Sequence, residues 1–199
     1  MKKYLINYLG QNIKVIKVIS IFIVVGIVIG IMIYNFLPTY VIEEVNGTCT
    51  DALNIAKLEN YNKINIIINS CKFNIVMMIL IYVSALLIIG PPVTTFIGVI
   101  KGISIGFYAC NLLSIFGVKN GIYAILCLIV VPNIIYLPTL IYTLINAINF
   151  HFDITDKNIL VTTFIKELKN IIVSVSLFFL SIILEQTMSV IIINLWKSI

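Results

Sequence analysis

Few side chains in this chain of 199 residues could do chemistry, and they do not converge. The only histidine is His151, in "NFHFD", with Asp153 and Asp156 close behind. One histidine between aspartates could ligate a metal, but no HExxH motif or cysteine pair accompanies it, so the stretch reads as a hydrated turn. No GxSxG, Walker A loop or nicotinamide fingerprint occurs. No catalytic, cofactor or metal site is expected, and the chain is not read as an enzyme. Among the polar residues inside apolar runs, Lys101, Asn133 and Glu185 stand out. Ionisable groups in such places face a bundle interior or a path for ions, and find partners there.

The runs that carry them decide the class. Hydrophobic residues make up 61% of the chain and charged ones 11%, with a mean hydropathy of +1.13. Soluble domains carry about 45–50% apolar and about 25% charged residues, and a water-soluble chain of this size cannot hide so much apolar surface. The expected fold class is all-α, a polytopic integral membrane helical bundle forming one domain over residues 1–199. Five stretches reach the ~20 residues a bilayer requires: about 15–37, 73–89, 93–118, 121–148 and 171–195. The first is basic at its start but too long for a signal core and lacks a small-residue cleavage site, so it is read as a retained helix. No attached soluble domain is expected.

The net charge of +5 comes from lysine alone. With no basic cluster interleaved with aromatics, nucleic acid is not an expected partner; the lysines anchor helix ends at lipid headgroups. Lys2, Lys3, Lys14 and Lys17 precede the first segment, and Glu43 and Glu44 follow it. That bias puts the N-terminus in the cytosol, residues 38–72 outside and residues 149–170 inside. Residues 51–70 and 156–170 have helical spacing and are expected as interfacial helices, with Asp156 as the N-cap of the second. Cys49 and Cys71 share the outer loop, where a disulfide can form if they come close enough.

Within the segments, Gly98, Gly102 and Gly106 recur every fourth residue, and Gly26 and Gly30 repeat the pattern in the first segment. Small residues let helix backbones approach in lipid, within one chain or in a homo-oligomer. Lys101 beside them costs about 2.5–3.5 kcal/mol at a helix centre, less if its stem snorkels. Glu185 sits deep in the fifth segment, between Ser181 and Ser189. A direct pair with Lys101 requires the lysine to extend outward or the segments to shift. Pro132 and Pro138, in "VVPNIIYLPTLIY", each remove a backbone donor and tend to kink a helix.

"GPPVTTFIGVIKGISIGF", "GVKNGIYAILCLIVVPNIIYLPTLI" and "LEQTMS", in that order, resemble the stage II sporulation protein M family. Lys101, Gly102, Gly106 and Phe107 match a "KGFxxGF"-like stretch, Asn133 and Pro138 a "PQN…P" motif, and Glu185 the family's final-helix glutamate. Ile103 departs from the usual aromatic, and "VPN" stands for "PQN". The resemblance implies a non-enzymatic scaffold in the mother-cell septal and engulfing membrane. It would place membrane-anchored peptidoglycan hydrolases during forespore engulfment, with the polar positions fixing helix packing. The alternative is a small transporter or channel lined by Lys101, Asn133 and Glu185, although the chain is short and shows no inverted repeat.

Overall fold

The structure, a computed structural model, describes residues 2–57, 75–87, 89–157 and 168–184. They are helical nearly throughout, and no strand occurs among them. Helix α1 spans Lys2–Phe36 and α2 spans Thr39–Lys57. Helix α3 covers Ile75–Ala85. Helix α4 runs over Gly90–Ile125 and passes through a π-helical turn, Leu126–Val130, into α5, Val131–Lys157. Helix α6 covers Leu168–Leu184.

Two stretches, Asn12–Phe36 and Gly90–Asp153, are long and apolar enough to cross a bilayer. The second is two segments in one. At Gly117 the backbone leaves the helical region, with φ 71° and ψ 173°, a conformation that costs a residue with a Cβ heavily. Beyond the break the chain folds back: a Cβ on Gly121 would lie 3.0 Å from the Cα of Leu113. Leu112, Ala124 and Ile129 form a small core at this hairpin, with Ile105, Tyr108 and Leu128 against it.

Helices α1 and α4 run parallel. Gly98 faces Ile19 and Ile23, Gly102 faces Ile23 and Gly26, Gly106 faces Ile27, and Gly30 faces Ile103 and Phe107. The glycine seam is therefore intramolecular. Helix α5 returns antiparallel to α4, and α6 runs antiparallel to α5, with Tyr142 meeting Asn170 and Tyr136 meeting Phe178. The main core joins Ile19 and Ile23 of α1, Met78 and Ile81 of α3, Ile97 of α4, Leu140, Leu144 and Ile148 of α5, and Phe178 of α6. Helix α5 is the hub, buried on all sides from Thr143 to Ile148. The outward faces are apolar instead: Ile21, Val24, Val28 and Met32 of α1 are exposed. A contiguous apolar surface of this kind suits lipid rather than water.

Several expectations change. The first helix begins at Lys2 rather than near residue 15. "GPP" opens α4 rather than preceding it, because proline tolerates a first helical turn, where its missing N–H has no intrahelical partner. Of the amphipathic stretch expected over residues 51–70, residues 51–57 belong to α2, which starts at Thr39 after the break at Pro38, and residues 58–70 lie outside the described set. Asp156 is not at a helix start: α5 continues through Lys157, which places the residue inside its last turn. Residues 158–167 lie outside the described set.

Candidate functional site

The seam sets the geometry. A Cβ on Gly102 would run into the carbonyl oxygen of Ile23 and lie 3.0 Å from the Cα of Gly26. Gly26, Gly30 and Gly106 likewise abut backbone of the other helix, at the carbonyls of Val99, Ile103 and Ile27. Gly98 differs, since its Cβ would meet only side chains, Ile23 at 3.5 Å and Leu144 at 3.6 Å. With these faces of α4 committed to α1, Lys101 turns towards α5. Its ammonium lies 4.0 Å from the centre of the Tyr136 ring, and the residue is half-buried. Tyr136 in turn meets Phe178 edge-on, ring centres 5.1 Å apart. A desolvated cation–π contact is worth about 2 kcal/mol or more, comparable to the cost of a lysine at that depth. Lysine, tyrosine and phenylalanine thus link α4, α5 and α6.

Asn133 lies on α5 one turn before Tyr136. Its amide nitrogen donates to the Ile129 carbonyl at 2.7 Å, while its Oδ1 is buried without a hydrogen-bond partner among the described residues. The π turn explains the local need. Val131 gives its N–H to the Leu126 carbonyl, five residues back, and Pro132 has none to give. The Asn133 side chain supplies a donor where the ladder is disturbed. Pro138 sits within α5 on an exposed face, and the helix continues through it.

The two ends of the bundle carry further polar ties. Where α1 finishes, Tyr34 donates to Asn46 of α2 at 3.5 Å, and Asn46 donates to Ser114 of α4 at 3.1 Å. Tyr34 also stacks edge-on to Phe107. Cys49 lies beside Asn111. Burial pushes the Cys49 thiol up from its ordinary range, and a hydrogen bond with Asn111 pulls the other way. Where α1 starts, Asn149 donates to Asn12 at 3.2 Å, and Ser84 and Thr94 share a hydrogen bond of 2.9 Å. His151 is not a hydrated turn. It lies in α5, and its Nδ1 donates to the Ala85 carbonyl at 2.7 Å, since a carbonyl can only accept. Gly90 must be glycine for this approach, because its Cβ would come 2.8 Å from Nδ1.

Of the residues singled out in the sequence, the structure brings Gly98, Gly102 and Gly106 against α1, and places Lys101 over Tyr136, one turn along α5 from Asn133. Glu185 and Cys71 lie outside the described residues, and with them the Lys101–Glu185 and Cys49–Cys71 pairs. Tyr136 is the functional residue that sequence reasoning missed. Its one signal was its position three residues after Asn133, which puts both on one helix face. Among the described residues no three His, Cys, Asp or Glu side chains gather as a metal site.

A helical bundle with an apolar exterior, a backbone-tight glycine seam and polar groups turned to helix–helix ties belongs with membrane-type packing domains. The family model described as Stage II sporulation protein M matches residues 19–192, nearly the whole chain, and the protein belongs to that family. Membership carries a role in sporulation. Searches among curated proteins and among solved structures gave no match.

Proposed function

We propose that the protein is a non-enzymatic, multi-pass membrane scaffold with a cytosolic N-terminus. In this reading it recruits membrane-anchored peptidoglycan hydrolases and places them at the septum while the mother-cell membrane engulfs the forespore. The observation that carries the proposal is the use made of intramembrane polarity. Lys101 is spent on Tyr136, the glycines on backbone contact and the hydroxyls of Thr139 and Thr143 on their own helix carbonyls. Groups so engaged suit the fixing of a shape. Helix α2 is held to the bundle through Asn46, while Tyr40, Glu43 and Glu44 stay exposed, which suits a surface for partners. The proposed orientation is supported by charge: Lys14, Lys17 and Lys169 are exposed at the end where α1 starts, and Glu43, Glu44 and Asp51 at the other.

The test is affinity purification of the tagged protein from detergent-solubilised sporulating cells. Peptidoglycan hydrolases should co-purify, and should be lost when the sequence of residues 38–72 is scrambled. If the protein arrives alone or only with copies of itself, the scaffold reading fails. Flux assays in liposomes, with Lys101, Asn133 and Glu185 as the path, then become the alternative to examine.

A further inference from the structure

Helix α2 is attached to the bundle differently from the other described helices. Helices α1, α3, α4, α5 and α6 all give buried residues to the main core. No described residue of α2 belongs to either core, and none of its described side chains is buried. What holds it is polar and confined to one turn. Asn46 takes a hydrogen bond from Tyr34 at 3.5 Å and gives one to Ser114 at 3.1 Å. Cys49, three residues on, hydrogen-bonds Asn111. Positions 46 and 49 share one face of α2, as 111 and 114 do on α4. Thr48 and Thr50 turn their hydroxyls to carbonyls of α2 itself, at Val45 and Gly47, rather than to the bundle.

The junction behind α2 is a break in the backbone ladder. Residues 37 and 38 are not helical. Leu37 gives its N–H back to Tyr34 in α1, while Val41 and Ile42 give theirs to the Pro38 carbonyl and start α2. Pro38 has no N–H to give, so the ladder of α1 stops before the ladder of α2 begins. Asn111 adds a penalty to the docked state. The residue is 3% exposed, and its Oδ1 is buried without a hydrogen-bond partner among the described residues. A buried acceptor with no donor disfavours the state that buries it, and water reaching Asn111 would remove that cost.

We propose that α2 is a hinged lid. It docks on α1 and α4 through Asn46 and Cys49, swings about residues 37–38, and uncovers Asn111 and the Tyr34 hydroxyl while the core of the other helices stays folded. Attachment by a few partly exposed hydrogen bonds, without buried apolar side chains, is what local opening at low free energy requires. A break at the end of an element is where hinge motion is absorbed. The lid does not depend on which partners the protein recruits.

The full-length protein in detergent micelles, with Cys49 as its single cysteine, tests this through maleimide labelling at pH 8. Labelling should be slower than in the unfolded chain. Its rate should barely change with urea below the unfolding transition, because releasing α2 exposes little surface. Ser114→Ala removes one tie and leaves Asn111 in place. It should raise the rate about 2- to 10-fold at an unchanged unfolding temperature. Tyr34→Phe keeps the ring against Phe107 and removes the other tie to Asn46; it should raise the rate too, and it replaces Ser114→Ala if that variant folds poorly. In a cysteine-free background, Asn111→Cys should label faster when Ser114→Ala is added, since the lid uncovers both sides of the contact. Ala124→Cys, in the small core, should react only on global unfolding. Labelling of Cys49 that rises with urea in parallel with Ala124→Cys would mean that α2 leaves only when the whole protein unfolds, and would overturn the proposal. So would rates that neither Ser114→Ala nor Tyr34→Phe changes, or a wild-type rate equal to that of the unfolded chain, which would mean that α2 is not docked.

Discussion

Replacing Gly102 by alanine separates a backbone-tight seam from an ordinary small-residue stripe. The added Cβ would press on the Ile23 carbonyl and sit 3.0 Å from both the Gly26 Cα and the Ile27 nitrogen. All three obstacles are backbone, so no rotamer change relieves them, and α1 and α4 must move apart over the whole contact. Overpacking costs about 1–3 kcal/mol, and rigid surroundings put this case at the upper end. Alanine returns about 1 kcal/mol through helix propensity, leaving Gly102→Ala about 2 kcal/mol less stable. At Gly98 the nearest atoms are side-chain tips of Ile23 and Leu144 at 3.5 and 3.6 Å, ordinary contact distances, so Gly98→Ala should be neutral or up to about 1 kcal/mol more stable. The difference between the variants, about 2–3 kcal/mol, corresponds to roughly 4–12 °C in unfolding temperature for a chain of this size. Thermal unfolding of the purified variants in one detergent measures it. Equal shifts at the two positions, or a neutral Gly102→Ala, would refute the backbone seam.

Gly117→Ala should cost about 1–3 kcal/mol although nothing crowds the position, because φ 71° with ψ 173° is a glycine conformation; the same unfolding assay reads it. Tyr136→Leu should cost about 2 kcal/mol and Tyr136→Phe much less. A double-mutant cycle with Lys101→Met should give a coupling of at least about 0.5 kcal/mol, and an additive cycle would argue against the cation–π contact. His151→Ala should destabilise by about 1–2 kcal/mol through loss of the Ala85 tie, seen as faster proteolysis near the α3–α4 turn. With its pKa raised above the ordinary 9.0, Cys49 keeps its proton in the fold at pH values where an unfolded thiol ionises. Its stabilising contribution is thus present at neutral pH and is lost as pH rises past about 9. In a variant with Cys49 as its single cysteine, maleimide labelling of the folded protein should be slow at pH 8, and faster both at higher pH and after unfolding.

What the sequence determined follows from properties that each segment carries by itself. Apolar composition fixes a lipid-facing helical bundle, Pro38 stops α1, and "GVKNG" marks the reversal that Gly117 makes. The spacing of Gly98, Gly102 and Gly106 picks out one face, because helical periodicity is local. The order of the short motifs around Lys101, Asn133 and Glu185 was enough to indicate the family. The tertiary structure decided what depends on a second helix. Three glycines alike in sequence become two that abut backbone and one that does not, since only the crossing of α1 over α4 sets the separation at each. Lys101, adjacent to the seam in sequence, faces Tyr136 because the seam has already used the glycine side of α4. His151 looked like a turn residue until α5 carried it onto the Ala85 carbonyl, 66 positions away in sequence. A charge or a polar atom inside a membrane-type bundle takes its role from its nearest neighbours, and long-range packing chooses them.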